Sequence, residues 1–155
     1  MRVALAGPMG AGKSTVGRLL ADRLQVPFVD LDKEIGDVAK IFAVEGEAGF
    51  RVRETEALRA CVGGEGVIAL GGGTVVDPGN RTLLAGWQVF VLMGTFETLK
   101  TRIGGGIRKR PLVSKLEALL AERAEAYAAA GERIDTDGLS AEEVTGQVAA
   151  ACASR

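Results

Sequence analysis

The sequence contains no histidine and only two cysteines among its 155 residues. Because Cys61 and Cys152 lie far apart and no histidine can join them, we expect neither a structural zinc site nor a disulfide framework, and we interpret both as free thiols in a reducing compartment. Long apolar runs are absent as well. We therefore expect neither a signal peptide nor a membrane span, and a cytoplasmic location.

An excess of charge of one sign is also missing. The 19 basic and 20 acidic residues give a formal net charge of -1. Because neutralising a nucleic-acid backbone requires a clustered excess of lysine and arginine, we expect no nucleic-acid partner. The length and the hydrophobic content of 47% predict one domain over residues 1–155 with a sizeable core, and no repeat or linker divides it. We expect this domain to be a monomer.

Short apolar runs alternate along the chain with longer stretches of helical periodicity. This alternation is typical of α/β proteins, in which βαβ units build a parallel sheet covered by helices on both faces. The runs predict five strands, at residues 3–6, 28–30, 67–70, 89–92 and 132–135, the last short and polar enough for a sheet edge. Helices are predicted at residues 15–24, 35–61, 78–85, 95–103, 115–130 and 141–153.

Residues 7–14 have the spacing Gly-x4-Gly-Lys-Ser and lie between the first predicted strand and the first predicted helix. Small residues at this point let backbone N–H groups turn inward around a phosphate, and the N-terminus of the helix adds a partial positive charge. Lys13 can then reach the β- and γ-phosphates, and the Ser14 hydroxyl can bind Mg²⁺. A glycine-rich turn without a ligand is the alternative, but the strand and helix on either side favour a nucleotide-binding P-loop.

Two carboxylates, Asp30 and Asp32, come at the end of the second predicted strand. Ligands of open α/β sheets bind at the carboxyl ends of the strands. Alternation along a strand would direct both side chains to the same side, one towards a hydrated Mg²⁺ near Ser14 and the other towards a substrate hydroxyl. Alternatively, Asp32 is only the N-cap of the following helix. With the P-loop present, we favour a functional role.

Three further stretches each allow two interpretations. Arg51 and Glu54 share a face of the predicted helix at 35–61, as a surface ion pair or as part of a site. The consecutive glycines at 71–73 indicate close approach of the backbone to a ligand, or a flexible turn. The glycines at 104–106, followed by three cationic residues at 108–110, suit a hinged lid over an anionic ligand, or an exposed basic loop.

In this order the motifs resemble those of the shikimate kinase family, a group of small P-loop kinases, over nearly the whole chain. The motifs that carry the resemblance are the P-loop with Thr15, Asp30-Leu31-Asp32, Ile41-Phe42, Gly46-Glu47-x-x-Phe50-Arg51-x-x-Glu54, Leu70-Gly71-Gly72-Gly73, Arg110-Pro111-Leu112 and Arg123-x-x-x-Tyr127. The resemblance implies a five-stranded parallel sheet in the order 2-3-1-4-5, a substrate-binding excursion at about residues 33–61 and a lid at about 104–115.

The resemblance also implies the reaction and the residues that serve it. The γ-phosphoryl group of ATP, with Mg²⁺, would pass to the 3-hydroxyl of shikimate, a step towards the aromatic amino acids. The residues implied to bind nucleotide are Gly10, Ala11, Gly12, Lys13, Ser14, Thr15, Arg102 and Arg110. Those implied to bind shikimate are Asp32, Arg51, Gly71, Gly72, Gly73 and Arg123. Ser14 would bind Mg²⁺ directly and Asp30 through water, while Lys13, Asp32 and Arg110 would serve catalysis.

Two features depart from the family pattern, and other functions stay open. Only eight residues separate Asp32 from Ile41, where the family usually has several more, and Val113 replaces a more usual leucine after a brief lid. The alternatives are a kinase for gluconate or a nucleoside monophosphate, or a homologue that binds ligands without catalysis. A GTPase-type switch is disfavoured, because the only Asp-x-x-Gly of that kind, at residues 135–138, falls at the last strand and no Asn-Lys-x-Asp motif exists.

Overall fold

The computed structural model describes residues 1–104 and 110–155, without the side chains of residues 110–112. The strands are β1 (Arg2–Ala6), β2 (Phe28–Asp30), β3 (Gly66–Ala69), β4 (Gln88–Met93) and β5 (Glu132–Asp135). The α-helices are α1 (Lys13–Leu24), α2 (Leu31–Ile35), α3 (Val38–Cys61), α4 (Pro78–Leu83), α5 (Phe96–Ile103), α6 (Arg110–Ala130) and α7 (Ala141–Ala153). A single turn of 3₁₀ helix spans Thr74–Val76.

The five strands form one parallel sheet in the order β2-β3-β1-β4-β5, which confirms the predicted topology. β1 lies at its centre, where Val3 pairs in register with Val67 of β3 and Gln88 of β4. The last four residues of β1 are completely buried, because neighbours cover both edges and helices cover both faces. The carboxyl end of this central strand leads directly into the P-loop.

Alternate residues of β1 enter two separate hydrophobic clusters, one on each face of the sheet. Val3 and Leu5 belong to the first cluster, which includes residues of α1, α5 and α7. Ala4 and Ala6 belong to the second, with residues of α2 and α3. Helix α6 contributes to both, through Leu116 in its first half and Tyr127 in its second. The result is the predicted three-layer α/β arrangement.

The connection between β2 and β3 differs in detail from the predicted excursion. It consists of the short helix α2 and the long helix α3, whose N-cap Asp37 accepts a hydrogen bond from the Lys40 N–H. Within α3, Gly46 has a φ of 71° and a ψ of -177°, so the helix kinks there. A positive φ is readily available only to glycine. The shortened segment after Asp32 therefore retains two helices, joined by residues 36–37.

One further difference concerns a helix boundary. Helix α6 begins at Arg110 rather than near residue 115, so the second half of the predicted lid is helical. The first half, residues 105–109, lies outside the described residues. The last helix agrees with the prediction, since the Ser140 hydroxyl caps it by accepting a hydrogen bond from the Glu143 N–H. Among the described residues, no helix is long and apolar enough to cross a membrane.

Candidate active site

The P-loop depends on three glycines with positive φ. Gly7, Gly10 and Gly12 have φ angles of 134°, 83° and 92°. A Cβ atom on Gly7 would lie 2.2 Å from the carbonyl oxygen of Leu92, so no other residue fits against β4 at that point. Gly12 is the N-cap of α1 and has no side chain with which to cap it. The first-turn N–H groups of α1 are therefore directed at the loop, as in a phosphate site.

The ammonium group of Lys13 lies inside this loop. Its Nζ atom donates hydrogen bonds to the carbonyl oxygens of Gly7, at 2.7 Å, and Pro8, at 3.0 Å. Desolvation lowers the pKa of Lys13 from 10.5 to about 8, although the nearby charges of Asp32 and Asp30 act in the opposite direction. The loop therefore holds a poorly hydrated cation at the point where a phosphate would arrive.

The two predicted carboxylates do lie beside the P-loop, but one part of the sequence interpretation is wrong. β2 ends at Asp30, and Asp32 belongs to the first turn of α2, so strand alternation does not direct both side chains. Asp32 is not the N-cap either, because Asp30 occupies that position. The Ser14 hydroxyl donates a 2.7 Å hydrogen bond to Asp30 Oδ2. Desolvation, followed by the charge of Asp30, raises the pKa of Asp32 above its ordinary value.

A first cavity, the P-loop cavity, has a volume of about 500 Å³ and lies over the loop and the start of α1. Its lining includes every predicted nucleotide residue except Arg110, whose side chain lies outside the described residues. The other lining residues are Met9, Val16, Asp30, Asp32, Leu70, Thr136, Leu139, Ala141 and Val144. Arg102 is held by hydrogen bonds to Thr136. The cavity therefore combines the backbone of the P-loop with a guanidinium group from α5.

A second cavity, the arginine cavity, has a volume of about 450 Å³ and brings together all six residues predicted to bind the acceptor. Two guanidinium groups, of Arg51 and Arg123, lie on its wall. An apolar part of the wall includes Phe42 and Phe50, whose ring centroids are 4.6 Å apart. The remaining lining residues are Pro8, Met9, Lys13, Asp32, Val38, Glu54, Gly71, Gly72, Gly73, Leu116, Leu119, Leu120 and Tyr127. Such a cavity suits a small anion with an apolar face.

Arg51 is held mainly by a buried carboxylate, although exposed Glu47 also lies 3.7 Å from its Nη2 atom. Its Nη1 atom donates to Glu54 Oε1 at 2.8 Å, and Thr74 Oγ1 donates to Glu54 Oε2 at 2.9 Å. Glu54 is only 1% exposed, so both carboxylate oxygens find a partner in the interior. The interpretation of Arg51 and Glu54 as a bland surface pair is therefore wrong. The contribution of Thr74 has no signal in the sequence, because it depends on how α3 packs against the 3₁₀ turn.

Close approach, rather than flexibility, explains the triple glycine. A Cβ atom on Gly73 would lie 2.6 Å from Arg51 Nη2, and one on Gly72 would lie 3.4 Å from Arg123 Nη1. The carbonyl oxygen of Gly72 also accepts a 2.7 Å hydrogen bond from the Tyr127 hydroxyl. Tyr127 is buried and is also hydrogen-bonded to Arg123. Sequence analysis identified Tyr127 only as part of a motif and assigned it no task.

The P-loop cavity and the arginine cavity meet. Met9, Lys13 and Asp32 line both of them. A ligand whose phosphates occupy the P-loop would thus face a second ligand in the arginine cavity, with the ammonium group of Lys13 and the carboxyl group of Asp32 at the boundary. This arrangement suits transfer of a group between two bound molecules.

Comparison with known proteins identifies the family. A family model described as shikimate kinase matches residues 9–153. A shikimate kinase of Symbiobacterium thermophilum is 45% identical over 164 residues, covering 96% of this chain and 94% of that protein. The structure of shikimate kinase from Acinetobacter baumannii in complex with shikimate has a TM-score of 0.90 at 34% identity, covering 98% of this chain and 92% of that one. These similarities confirm the predicted resemblance, and the chain belongs to the shikimate kinase family.

Proposed function

We propose that this protein transfers the γ-phosphoryl group of ATP to the 3-hydroxyl of shikimate. The observation that carries the proposal is the meeting of the two cavities at Lys13 and Asp32. One cavity has the backbone of a phosphate site, and the other has two guanidinium groups suited to a carboxylate. Membership of the shikimate kinase family supports ATP as the donor and shikimate as the acceptor.

On the donor side, the backbone of residues 10–15 holds the phosphates. Mg²⁺ fits the donor set here, because this ion takes oxygen ligands and uses only one or two protein groups beside phosphates and water. The Ser14 hydroxyl would bind it directly and Asp30, 2.7 Å from that hydroxyl, through water. When bound, Mg²⁺ neutralises charge on the phosphates. Arg110 remains our predicted lid residue for the same phosphates.

On the acceptor side, Arg51 and Arg123 bind the carboxylate of shikimate. Glu54 and Thr74 hold Arg51 in place, so little side-chain freedom is lost when the acceptor arrives. The backbone of residues 71–73 closes against the acceptor. Asp32, at the boundary with the P-loop cavity, accepts a hydrogen bond from the hydroxyl group that reacts.

Transfer then requires mainly orientation and charge. The 3-hydroxyl oxygen forms a bond to the γ-phosphorus, the bond from that phosphorus to the bridging oxygen of ADP breaks, and the hydroxyl proton leaves to Asp32 or to water. Lys13 stabilises charge on the equatorial oxygens of the transferred group. Asp32 orients the hydroxyl, and its raised pKa makes it a better proton acceptor than an ordinary aspartate.

An acceptor comparison tests the proposal. The purified protein is assayed by coupled ADP release with ATP and Mg²⁺, using shikimate, gluconate and adenosine monophosphate in turn. We expect turnover with shikimate alone. Turnover with one of the other acceptors and none with shikimate would overturn the proposed substrate, and binding of ADP without turnover of any acceptor would identify a ligand-binding homologue.

A further inference from the structure

One part of the P-loop cavity lining is a contact between α5 and the segment after β5, which the proposed reaction has not used. Arg102, in the last turn of α5, donates from Nη1 to the Thr136 hydroxyl and from Nη2 to the Thr136 carbonyl oxygen, both at 2.8 Å. Thr136 follows β5 and is completely buried. The guanidinium is therefore held at two points by one residue.

The Thr136 hydroxyl is itself fixed. It donates a 2.8 Å hydrogen bond to the carbonyl oxygen of Met93, and the Thr136 N–H donates to the same oxygen at 2.9 Å. Because the single hydroxyl proton is committed to Met93, the oxygen is left as an acceptor for Arg102. The Met93 carbonyl oxygen at the end of β4 thus fixes the orientation of the Thr136 hydroxyl, and this hydroxyl in turn fixes the guanidinium group of Arg102.

Two bonds in the plane of a guanidinium fix the direction of its flat face. Arg102 and Thr136 both line the P-loop cavity, but they belong to α5 and to the segment after β5 rather than to the P-loop itself. A nucleotide with its phosphates on the P-loop backbone leaves its base to the lining outside that loop, where a flat cation can stack on an aromatic ring. Leu139, Ala141 and Val144 supply apolar surface beside it.

We propose that Thr136 is a positioning residue for the nucleotide base, acting by fixing the plane of Arg102. The proposal rests on the proposed function in one respect, namely that the ligand of the P-loop cavity is ATP or ADP. It does not depend on which acceptor is phosphorylated. Binding of ADP, measured without any acceptor, therefore tests it separately.

The test is a double-mutant cycle, read by calorimetric titration with ADP and Mg²⁺. Thr136→Val keeps the shape of the side chain and the carbonyl contact but removes the hydroxyl, so we expect the Kd for ADP to rise about tenfold. Thr136→Ser restores the hydroxyl and should restore most of the affinity. In an Arg102→Ala background, Thr136→Val should have almost no further effect, because the group that it positions is gone.

Thr145→Val is the matched control. Thr145 is also buried and its hydroxyl also donates to a backbone carbonyl, that of Ala141, but it does not line the cavity. We expect unchanged ADP affinity in this variant, with melting temperatures recorded for every protein. Equal losses of ADP affinity on Thr136→Val with and without Arg102, or no rescue by serine, would overturn the proposal. So would full ADP affinity in Thr136→Val.

Discussion

The P-loop cavity and the arginine cavity share Lys13 and Asp32, yet they are built in opposite ways. The part of the P-loop cavity where we propose that the phosphates bind is the backbone of one short segment, with glycines in conformations that other residues avoid. The arginine cavity is assembled mostly from side chains of α2, α3 and α6, together with the glycine backbone after β3. Changes to the first should act mainly through transfer, and changes to the second mainly through affinity for the acceptor.

The two cavities also differ in how the positive charges of their side chains are compensated. Lys13 is a cation partly stripped of water, with backbone carbonyls and more distant carboxylates around it, and its pKa falls as a result. Arg51 has a buried carboxylate as its direct partner. The P-loop cavity therefore holds an unmet charge that an anionic ligand can satisfy, whereas in the arginine cavity Arg51 already has a carboxylate partner. We therefore expect Lys13 to lower the stability of the folded protein and Arg51 to raise it.

Lys13→Met should have the largest effect of the variants that test this contrast between the two cavities. We expect a loss of at least about 10³-fold in kcat, since one preorganised charge at a phosphoryl group is removed. The free energy of unfolding, by contrast, should rise in this variant. A pKa lowered from 10.5 to about 8 corresponds to roughly 3 kcal/mol, and the lost hydrogen bonds offset about 1 kcal/mol each, which leaves a net gain of about 1 kcal/mol near pH 7.

The pH dependence of that gain gives the measurement. Between about pH 8 and 10.5 the unfolded chain holds the Lys13 proton and the folded chain does not, so the stability of the wild type rises with pH through this window. The advantage of Lys13→Met in urea unfolding should therefore shrink between about pH 7 and about pH 10. Lys40→Met, at an exposed lysine, is the control and should alter neither activity nor stability. A pH-independent difference would contradict the proposed burial cost.

Arg51→Ala tests the arginine cavity. We expect the KM for shikimate to rise about 10- to 100-fold, because charge-assisted hydrogen bonds to its carboxylate are lost, while the Kd for ADP stays unchanged. Stability should fall by about 2 kcal/mol as Glu54 loses its partner. This is less than for a fully buried pair, because the Arg51 side chain is 32% exposed.

Arg53→Ala is the matched control for that variant. Arg53 lies two residues further along α3 and pairs with Glu45 on the surface, and it does not line the arginine cavity. We expect no change in the KM for shikimate. If Arg51→Ala weakened ADP and shikimate binding equally, the division of labour between the two cavities would be wrong.

The same contrast explains how far the sequence could be interpreted. The P-loop, the positions of the strands and the cap at Ser140 are each indicated by a short stretch of sequence, and these predictions are confirmed. Asp32 was placed wrongly because β2 is only three residues long and gives way to a helix immediately. A periodicity argument cannot locate so early a change from strand to helix.

Contacts between distant segments were harder still. Spacing alone pairs Arg51 with Glu54, but it cannot say that Glu54 is buried or that Thr74, 20 residues away, completes its hydrogen bonds. The clamp of Thr136 on Arg102 spans 34 residues and depends on where the loops after β4 and β5 meet. The family resemblance supplied the roles of Arg51, Arg102 and Arg123, whereas only the structure shows that Thr74 supports Glu54 and that Thr136 holds Arg102.

Tyr127→Phe is the smallest expected effect and the finest test of the arginine cavity. The hydroxyl of Tyr127 donates to the Gly72 carbonyl oxygen and is hydrogen-bonded to Arg123, so one group ties the glycine loop to an arginine. Burial raises the pKa of Tyr127 above its ordinary value, so the hydroxyl stays protonated throughout the neutral range. A single neutral hydrogen bond contributes about 1 kcal/mol, which predicts a rise of about fivefold in the KM for shikimate.

Tyr127→Phe tests whether the Tyr127 hydroxyl aligns groups of the acceptor site or whether the side chain only packs in the core. If Tyr127 aligns Arg123 and Gly72 for the acceptor, the KM for shikimate rises while the Kd for ADP and kcat hold, because Tyr127 lines only the arginine cavity of the two. Steady-state kinetics at several pH values between about 6 and 9 should give the same ratio of variant to wild type, since the hydroxyl does not titrate there. If the KM of Tyr127→Phe equals that of the wild type, Tyr127 is only a core residue. Its buried ring is then fully replaced by that of phenylalanine.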